Sequence, residues 1–367
     1  MAIKVLMLNR SDAFLRPGGD TVQMVKTKQY LERYGINVDV FCGYPLKVNL
    51  DDYDLFHVFN IQTYKETLRQ VMEIRRSTKK PIVLSTIYWS FGEVLEKDWF
   101  VNFVIPASWK WHYFSLLVGT ENAYRFYLRR LKEAKVTQRI ILNSVDLLIP
   151  NSEGEKKLLI EEFGISGTKV RVIPNGVDDE VFDSNKVSFH EAFKKLGVKD
   201  FVLEVGRIEP CKNQIALITQ VPGQIPLVFV GRKGHEGYYK RVKNLAALRG
   251  NVFFFEEVEH DSLPIFYALA KVHALPSLRE TPGLVSLEAG IMGCNIVSTN
   301  RGPTYEYFGE HAWYCDPCKP ESVKNAVEKA FSATKSGVLQ SRIKERFTWK
   351  IVAKETLEVY MGCMSLG

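Results

Sequence analysis

The sequence lacks any apolar run long enough to cross a membrane, and its first apolar segment, residues 3–8, is too short for the core of a signal peptide. It also lacks low-complexity tracts and repeats at a solenoid period. These absences argue against membrane-spanning, disordered and repeat architectures. We therefore expect a cytoplasmic protein.

Cysteines are few, six among 367 residues, and without a secretory signal they predict free thiols rather than a disulfide framework. Cys315 and Cys318 form one C-x-x-C pair, but no second pair or histidines follow at zinc-binding spacing. We expect a loop there. Asp52-Tyr53-Asp54 resembles a metal-binding D-x-D motif, yet it precedes an apolar strand, where acids commonly end a loop. We expect no metal at either place.

The chain length, 367 residues, exceeds what one hydrophobic core usually organises, so two domains are expected. The formal net charge of +7 favours anionic partners. Charge alone leaves open nucleotide phosphates, an anionic membrane surface and nucleic acid. No recognised nucleic-acid module accompanies the charge, so we expect no nucleic-acid partner.

Apolar segments of strand length alternate with helical stretches along the chain, a pattern typical of parallel α/β sheets. A turn-rich segment at 174–183 separates two such halves and is the candidate linker. The predicted strands are residues 3–8, 36–42, 55–59, 82–86 and 145–150 in the first half, and 201–205, 227–230, 252–255, 272–275 and 295–298 in the second. We predict two parallel sheets.

The strongest motif follows the fourth strand of the second half and carries two glutamates eight positions apart, Glu280 and Glu288. Pro282 and Gly283 fit the first turn of a helix, where proline loses no hydrogen bond and glycine lets a ligand approach. Such a helix start offers free amides to a diphosphate. Carboxylates accept hydrogen bonds from sugar hydroxyls, although Glu288 could equally pair with a buried base.

A second motif, running from Gly206 to Lys212, directly follows the first strand of the second half. Ligands of open parallel sheets bind outside the carboxyl ends of the strands, so Arg207 and Lys212 would point into the same crevice as the helix amides. Arginine can grip phosphate oxygens in a bidentate fashion, and lysine supplies a point charge.

These two motifs, with the I-P-N-G-V-D segment at 173–178, resemble glycosyltransferase family 4, a retaining group with the GT-B fold. The E-x7-E, G-R-x4-K and linker elements occur in family order, and the Gly18-Gly19 turn and the entry to the last helix also match. The resemblance implies two Rossmann-like parallel-sheet α/β domains facing across a cleft, at 1–175 and 176–345. A C-terminal helix at 346–367 would cross back to the first domain.

The resemblance also implies roles for residues. Arg207 and Lys212 would neutralise the diphosphate of a nucleotide-sugar donor in place of a metal, so no metal or other cofactor is expected. Glu280 would bind the transferred sugar and complete the catalytic set. Glu288 would bind the ribose, and the amides after Pro282, at Gly283 and Leu284, would bind the phosphate or the sugar. Gly18, Gly19 and Asn175 complete the donor-binding set that the resemblance implies. A structural turn explains Asn175 about as well.

Many members of the family carry a histidine after the fourth strand of the first domain, but residues 81–90 contain none. Ser85, Thr86 and Tyr88 are the polar side chains best placed there to touch donor or acceptor. A front-face retaining mechanism needs no protein base. His57 lies inside an apolar strand, and we expect a hydrogen-bonded core histidine.

Residues 99–139 mix tryptophans and tyrosines with lysines and arginines. This composition suits peripheral docking on an anionic membrane that carries a lipid-linked acceptor. A helical insertion that packs its aromatic side chains onto the domain explains it equally well.

The resemblance predicts a retaining glycosyltransferase that moves a sugar from a nucleoside-diphosphate-sugar to a hydroxyl of a glycan or lipid-linked acceptor, in surface polysaccharide or glycoconjugate synthesis. Two alternatives stay open: a nucleotide-sugar epimerase of the same fold, and a non-catalytic subunit that binds nucleotide sugar. A dinucleotide oxidoreductase is disfavoured because the Arg16-Pro17-Gly18-Gly19 turn lacks the G-x-G-x-x-G fingerprint.

Overall fold

The computed structural model of the protein describes residues 3–90, 115–188, 190, 194, 196–256 and 258–365. The chain divides into two compact units. The first unit comprises Met1–Gly176 and Trp349–Gly367, and the second comprises Val177–Thr348. The C-terminal segment therefore belongs to the unit formed by the N-terminal half of the chain.

The sheet of the first unit has five parallel strands in the order β2-β1-β3-β4-β5. Its strands are β1 (Lys4–Asn9), β2 (Asn37–Cys42), β3 (Leu55–Phe59), β4 (Ile82–Ser85) and β5 (Leu147–Ile149). Every residue of β3 and β4 is buried, as expected when helices cover both faces of a parallel sheet. The predicted strands are confirmed, with ends that differ by one or two residues.

The sheet of the second unit has six parallel strands in the order β11-β10-β9-β6-β7-β8. Its strands are β6 (Phe201–Val205), β7 (Leu227–Val230), β8 (Val252–Phe255), β9 (Ala270–Leu275), β10 (Asn295–Thr299) and β11 (Ala312–Cys315). Five of them match the sequence-based expectation. The edge strand β11 was not predicted, because it is only four residues long and three of them are half-buried.

The C-x-x-C pair differs from the expected loop. Cys315 is buried at the end of β11, whereas Cys318 is exposed. All six cysteines are free, and the described residues include no group of histidines, cysteines and acids able to hold a metal ion.

Helices cover both sheets. In the first unit the described residues form α1 (Gly19–Arg33), α2 (Tyr64–Ser77), α3 (Thr120–Ser144) and α4 (Glu153–Phe163), among others. The helices described in the second unit include α5 (Gln214–Gln220), α6 (Glu236–Arg249), α7 (Leu263–Leu269), α8 (Leu284–Ile291), α9 (Thr304–Phe308), α10 (Pro320–Ser332) and α11 (Val338–Arg346). The last helix, α12 (Trp349–Ser365), packs on α1, which confirms its predicted return to the first domain. Over the part of the chain that the structure describes, no helix combines the length and apolarity of a membrane span.

The acids of the Asp52-Tyr53-Asp54 motif have structural partners. The carboxylate of Asp54 accepts a hydrogen bond from the backbone N–H of Lys4 at 2.8 Å. That of Asp52 accepts one from the side-chain amide of Asn49 at 2.9 Å. These contacts hold the segment that enters β3.

His57 on β3 is the core histidine that the sequence predicts. Its Nδ1 lies 2.6 Å from Tyr360 Oη on α12, and its Nε2 lies 2.9 Å from Ser85 Oγ on β4. All three side chains are buried. Burial lowers the pKa of His57 to about 3, so the ring is neutral in the folded protein. The three residues join α12 to the sheet.

We expect this histidine to make the protein acid-sensitive. Its pKa falls from 6.5 in the unfolded chain to about 3 on folding, so below pH 6.5 the unfolded state binds a proton that the folded state excludes. Between pH 7 and pH 5 this linkage costs about 2 kcal/mol of unfolding free energy. Urea unfolding of wild type and His57→Gln at both pH values measures it. The stability difference between the two proteins should shrink by that amount at pH 5, and an unchanged difference would contradict the assignment.

Candidate functional site

The order of strands in the second unit creates a topological switch point. From β6 the chain proceeds outward through β7 to β8, then returns to β9 on the other side of β6 and continues to β11. The loops after β6 and β9 therefore leave their strands in opposite directions. Ligands of open α/β sheets bind in the crevice that such loops leave at the carboxyl ends of the strands.

Lys212 follows β6, Glu280 follows β9, and the two side chains meet at this point. Lys212 Nζ lies 2.8 Å from Glu280 Oε2. The side chains are only 21% and 12% exposed, respectively. Burial alone would lower the pKa of Lys212, but the charge of Glu280 opposes this, and the net result is a raised pKa. The lysine therefore stays cationic at this strand edge.

Hydrogen bonds between loops hold the ion pair in place. The backbone N–H of Leu278 donates to the carbonyl of Cys211 at 2.8 Å. Asn213, in the left-handed conformation at φ 63°, donates from its side-chain amide to the carbonyls of Pro276 at 3.2 Å and Pro317 at 3.0 Å. One asparagine thus ties together the loops that follow β6, β9 and β11.

A glycine allows the loop after β10 to approach Glu280. The backbone N–H of Glu280 donates to the carbonyl of Arg301 at 3.3 Å. Gly302 has φ +104°, and a Cβ placed there would lie 2.1 Å from the carbonyl oxygen of Glu280. Only glycine fits this position without moving the backbone that carries the glutamate.

The helix after Glu280 starts two residues later than the sequence suggests. Gly283 is the N-cap of α8, with φ +86°, and Pro282 precedes it, so neither is in the first turn. The amides of Ser286 and Leu287 bond to the carbonyl of Gly283. The amide of Leu284, at the first helical position, remains at the positive end of the helix dipole, where the sequence predicts a diphosphate.

Both carboxylate oxygens of Glu288 have protein partners. Oε1 lies 2.9 Å from His260 Nε2, and Oε2 accepts from Tyr267 Oη at 2.9 Å. This is the pairing with a base that the sequence left open. A carboxylate has about four acceptor sites, and His260 is 39% exposed at this edge. The ribose-binding role of Glu288 stays a prediction.

Arg207 is the more accessible of the two predicted cations. Its side chain is 44% exposed, and its Nη2 lies 3.2 Å from Glu209 Oε1. An exposed ion pair of this kind contributes little to stability, so the guanidinium can exchange its carboxylate for a phosphate at small cost.

A buried acid that the sequence did not predict, Glu204, lies near the ion pair. Glu204 on β6 accepts a hydrogen bond at Oε1 from Gln214 Nε2 at 2.9 Å, and no described residue bonds to its Oε2. Burial raises its pKa well above the usual range; Lys212 opposes and Glu280 reinforces this shift. The neutral acid adds no second negative charge to compete with Glu280 for the lysine. Its signal was the single acid in the otherwise apolar strand F-V-L-E-V.

In the first unit, the predicted glycines lie at the start of α1. Gly18 is the N-cap, and a Cβ there would lie 2.9 Å from Asp20 Oδ1, whereas Gly19 has no heavy atom within 4 Å of such a position. Arg10 Nε donates to Asp20 Oδ2 at 2.8 Å, and Asn60 Nδ2 donates to the same oxygen at 3.2 Å. Burial would raise the pKa of Asp20, but the hydrogen bond and charge of Arg10, with the hydrogen bonds from Asn60 and the backbone of Thr21, together outweigh it and the pKa is lowered. These contacts tie the loops after β1 and β3.

The three residues predicted to touch the acceptor are buried inside the first unit. Ser85 bonds to the core histidine already described. Thr86 Oγ1 donates to Glu155 Oε1, which also accepts the backbone N–H of Tyr88 at 2.6 Å. Tyr88 Oη donates to Glu162 at 2.9 Å. Their polar groups hold β4 to α4, and an acceptor role stays a prediction that these contacts do not support.

Asn175 lies at the end of the first unit, and other loops of the second unit follow β7 and β8. Asn175 is buried, 4% exposed, one residue before the first unit ends. The loops after β7 and β8 leave the same edge of the second sheet as those after β6 and β9. There the ring of Phe255 packs edge-on against Phe266, with centroids 5.0 Å apart. Residue 257 lies outside the described residues.

Comparison with protein families decides the identity of this arrangement. A model described as Glycosyltransferase Family 4 matches residues 17–181, and one described as Glycosyl transferases group 1 matches residues 187–346. The chain belongs to glycosyltransferase family 4. The family resemblance predicted from the motifs is thereby confirmed.

Two relatives show the extent of sequence similarity. An uncharacterized glycosyltransferase of Methanocaldococcus jannaschii is 28% identical over 239 residues, which cover 60% of this chain and 60% of that protein. Mannosylfructose-phosphate synthase of Agrobacterium fabrum is 27% identical over 269 residues, 66% of this chain and 59% of that protein. The chain therefore matches only about three fifths of the length of these relatives.

Solved structures of glycosyltransferases share the fold along the whole chain. Sucrose-phosphate synthase from Thermosynechococcus elongatus superposes with a TM-score of 0.77 at 18% identity, covering 100% of both chains. The Anabaena HepE protein, solved in complex with UDP, gives 0.72 at 20% identity, covering 98% of this chain and 100% of that one. The predicted GT-B class, with its two Rossmann-like domains, is confirmed.

Proposed function

We propose that this protein is a retaining glycosyltransferase that moves a sugar, of hexose type, from a nucleoside-diphosphate-sugar to a hydroxyl of a glycan or lipid-linked acceptor. The observation that carries the proposal is the Lys212–Glu280 ion pair, 2.8 Å long, at the switch point of the second unit and directly before the N-terminus of α8. It places a cation, a carboxylate and helix amides within one set of loops. Those are the groups that a sugar diphosphate requires.

In this reaction the charges act on the leaving group. Negative charge develops on the diphosphate as its bond to the sugar breaks, and preorganised cations stabilise that charge most strongly in a site with little water. Lys212 and Arg207 supply the cations, in place of a metal. Glu280 holds hydroxyls of the transferred sugar, and the amides at Gly283 and Leu284 bind phosphate.

Retention of configuration follows from the face of the sugar on which the acceptor attacks. In front-face displacement the acceptor hydroxyl attacks from the side of the departing diphosphate, and a phosphate oxygen takes its proton. The glycosidic bond forms on the face from which the diphosphate leaves, so the configuration is kept. This route needs no protein base, which accords with the lack of histidine in residues 81–90.

Binding of the donor is the first test. A nucleotide that binds the folded chain stabilises it by mass action and so raises its melting temperature. At a nucleotide concentration of one hundred times Kd the gain in unfolding free energy is about 2.7 kcal/mol. Because a structure of the same fold holds UDP, uridine nucleotides come first in a screen of nucleoside diphosphates and their sugars. One base series should shift the melting temperature. No shift with any nucleotide or nucleotide sugar would overturn the donor site.

Turnover separates the proposal from its alternatives. A transferase consumes donor in proportion to acceptor, whereas an epimerase converts the donor sugar without any acceptor. A non-catalytic subunit would bind nucleotide sugar without consuming it. Donor consumption with and without acceptor, followed by chromatography, distinguishes the three.

We place the reaction in surface polysaccharide or glycoconjugate synthesis, with peripheral membrane contact through residues 99–139. Residues 99–114 lie outside the described residues. The remainder supports the contact with exposed Leu116 (71%) and Leu117 (67%) just before α3, and with Arg125 on α3.

Leu116→Ser/Leu117→Ser should weaken flotation with phosphatidylserine vesicles, because the variant removes apolar area that would enter the interface. Leu248→Ser is the matched control, since Leu248 on α6 is 85% exposed in the second unit. Equal flotation of the double variant and wild type would contradict membrane contact here.

A further inference from the structure

Glu204 is a buried acid on an interior strand of the second sheet, and none of the ion pairs among the described residues includes it. The residue lies on β6 and is 1% exposed. Lys212, whose charge acts on it, bonds to Glu280 instead, at 2.8 Å. A charge that is buried without a partner is far more costly than a neutral polar group. The contacts therefore favour a protonated Glu204.

One hydrogen bond joins this acid to Gln214, the first residue of α5. Gln214 Nε2 donates to Glu204 Oε1 at 2.9 Å. Two oxygens of the same two groups are left over, because Glu204 Oε2 and Gln214 Oε1 are buried without a partner among the described residues. An ionised carboxylate can only accept hydrogen bonds, but a proton on Oε2 makes that oxygen a donor. Gln214 Oε1 is the acceptor that such a donor needs, so one proton would satisfy both oxygens.

The same amide holds the main chain of Arg207, the more accessible of the two predicted cations. Gln214 Nε2 also donates to the carbonyl of Arg207 at 3.2 Å. An amide nitrogen has two hydrogens, and both are then used. With its oxygen bonded to the acid as well, the amide has a single orientation. Glu204 thereby fixes Gln214, and Gln214 fixes the loop that carries the guanidinium.

The titratable groups that act on Glu204 show why its neutral form matters. Lys212 in the loop after β6 and Glu280 in the loop after β9 act on it in opposite directions. Tyr238 on α6 also faces it, and the hydroxyl of this tyrosine accepts the backbone N–H of Ile215 at 3.1 Å. Burial raises the pKa of Tyr238, so the hydroxyl carries no charge there. An ionised Glu204 would add a second carboxylate near Lys212.

We propose that Glu204 is a positioning residue of the donor site: as a neutral acid it forms a cyclic pair of hydrogen bonds with Gln214, which holds the backbone of Arg207 for the diphosphate. Because the carboxyl group is buried, it acts through Gln214 and does not touch the donor. The role in donor binding rests on the proposed function. The cyclic acid–amide pair itself does not.

Thermal melting of the full chain at pH 5 and pH 8 tests the acid without any donor. In the unfolded chain Glu204 has its ordinary pKa of 4.5 and is mostly ionised at both pH values, whereas burial in the folded protein raises that pKa. Folding therefore takes up a proton, and the stability of wild type falls as the pH rises. Glu204→Gln has no such proton, and its amide can still pair with Gln214. Between pH 5 and pH 8 its melting temperature should rise relative to wild type by about 5 °C or more.

Glu236→Gln is the matched control for this measurement. Glu236 on α6 is 55% exposed, and its carboxylate lies 2.6 Å from Lys233 Nζ. This contact lowers the pKa of Glu236, so the residue is ionised at both pH values in the folded and the unfolded chain. The difference in melting temperature between Glu236→Gln and wild type should stay the same at pH 5 and pH 8.

Donor kinetics at pH 7 separate positioning from folding. Glu204→Leu removes both hydrogen bonds to Gln214 and should raise the KM of the donor about tenfold. The effect on kcat should be smaller, because a displaced Arg207 binds the diphosphate less well in the ground state and the transition state alike. Glu204→Gln should restore the KM of wild type, since an amide can both donate to Gln214 and accept from it. Melting of each variant shows that the protein assayed is folded.

A pH-dependent melting difference, together with a raised KM in Glu204→Leu and its rescue in Glu204→Gln, supports the inference. The inference is overturned if the melting difference between Glu204→Gln and wild type is the same at both pH values. It is also overturned if Glu204→Leu keeps the KM of wild type, or if Glu204→Gln has the raised KM of Glu204→Leu. A chain that binds no nucleotide but shows the pH-dependent difference keeps the acid–amide pair and loses the proposed function. A chain that transfers sugar without that difference loses only the inference.

Discussion

Lys212→Ala should lower kcat/KM for sugar transfer by about 10²- to 10³-fold, the loss expected when one preorganised group that stabilises developing charge is removed. The lysine is the more buried of the two cations at the switch point, and Glu280 holds it in place at 2.8 Å. Its raised pKa keeps it charged across the working pH range. The loss should appear mainly in kcat, because the leaving diphosphate carries more charge in the transition state than the bound donor.

Folding must be separated from catalysis in this variant. Removing one partner of a largely buried ion pair leaves a carboxylate without compensation and destabilises the fold. Melting temperature and circular dichroism identify the folded fraction, and Lys212→Arg keeps the charge as a second variant. Lys240→Ala is the matched control, since Lys240 on α6 is 72% exposed and pairs with Glu236 on the same helix. Wild-type kcat/KM in folded Lys212→Ala would remove the lysine from the mechanism.

Gly302→Ala should impair both stability and transfer. The added Cβ would lie 2.1 Å from the carbonyl oxygen of Glu280, at a φ of +104° that alanine rarely adopts. Such backbone strain costs about 1–3 kcal/mol, and the overlap forces the backbone of the glutamate to move. A displacement near 1 Å at a catalytic group can cost about 10²-fold in rate. Urea unfolding and transfer rates at low temperature measure the two effects.

A second glycine separates strain from displacement. Gly250 follows α6 at φ +88°, and a Cβ there would meet no heavy atom within 4 Å. Gly250→Ala should therefore lose some stability through strain alone and keep full transfer activity. If Gly302→Ala proved as active as Gly250→Ala, the packing of the loop after β10 would not position Glu280.

The strands were predictable because their signal is local. A run such as Leu55–Phe59 is apolar apart from His57 and can be recognised without knowing its neighbours. The partner of His57 was not predictable, because Tyr360 lies 303 positions away and its pairing depends on how α12 returns to the sheet. The edge strand β11 was missed since its four residues are only partly buried.

The residue types predict the chemistry of the site, but they do not predict which side chains bond to one another there. Glu280 and Lys212 were expected at the same strand edge, yet their direct ion pair follows from the adjacency of β6 and β9. His260 and Tyr267 on Glu288 depend likewise on the packing of α7 against β9. Glu204 lies in a strand that the sequence predicts, but the burial that raises its pKa follows from the packing around that strand.

The central claim is transfer of a sugar from a nucleotide donor with retention. Proton NMR of the anomeric signal tests it most directly, with the donor that the binding screen identifies and a panel of glycan and lipid-linked acceptors. We predict that donor is consumed only when an acceptor is present and that the product keeps the anomeric configuration of the donor. A product of inverted configuration, or conversion of the donor sugar without acceptor, would contradict the account.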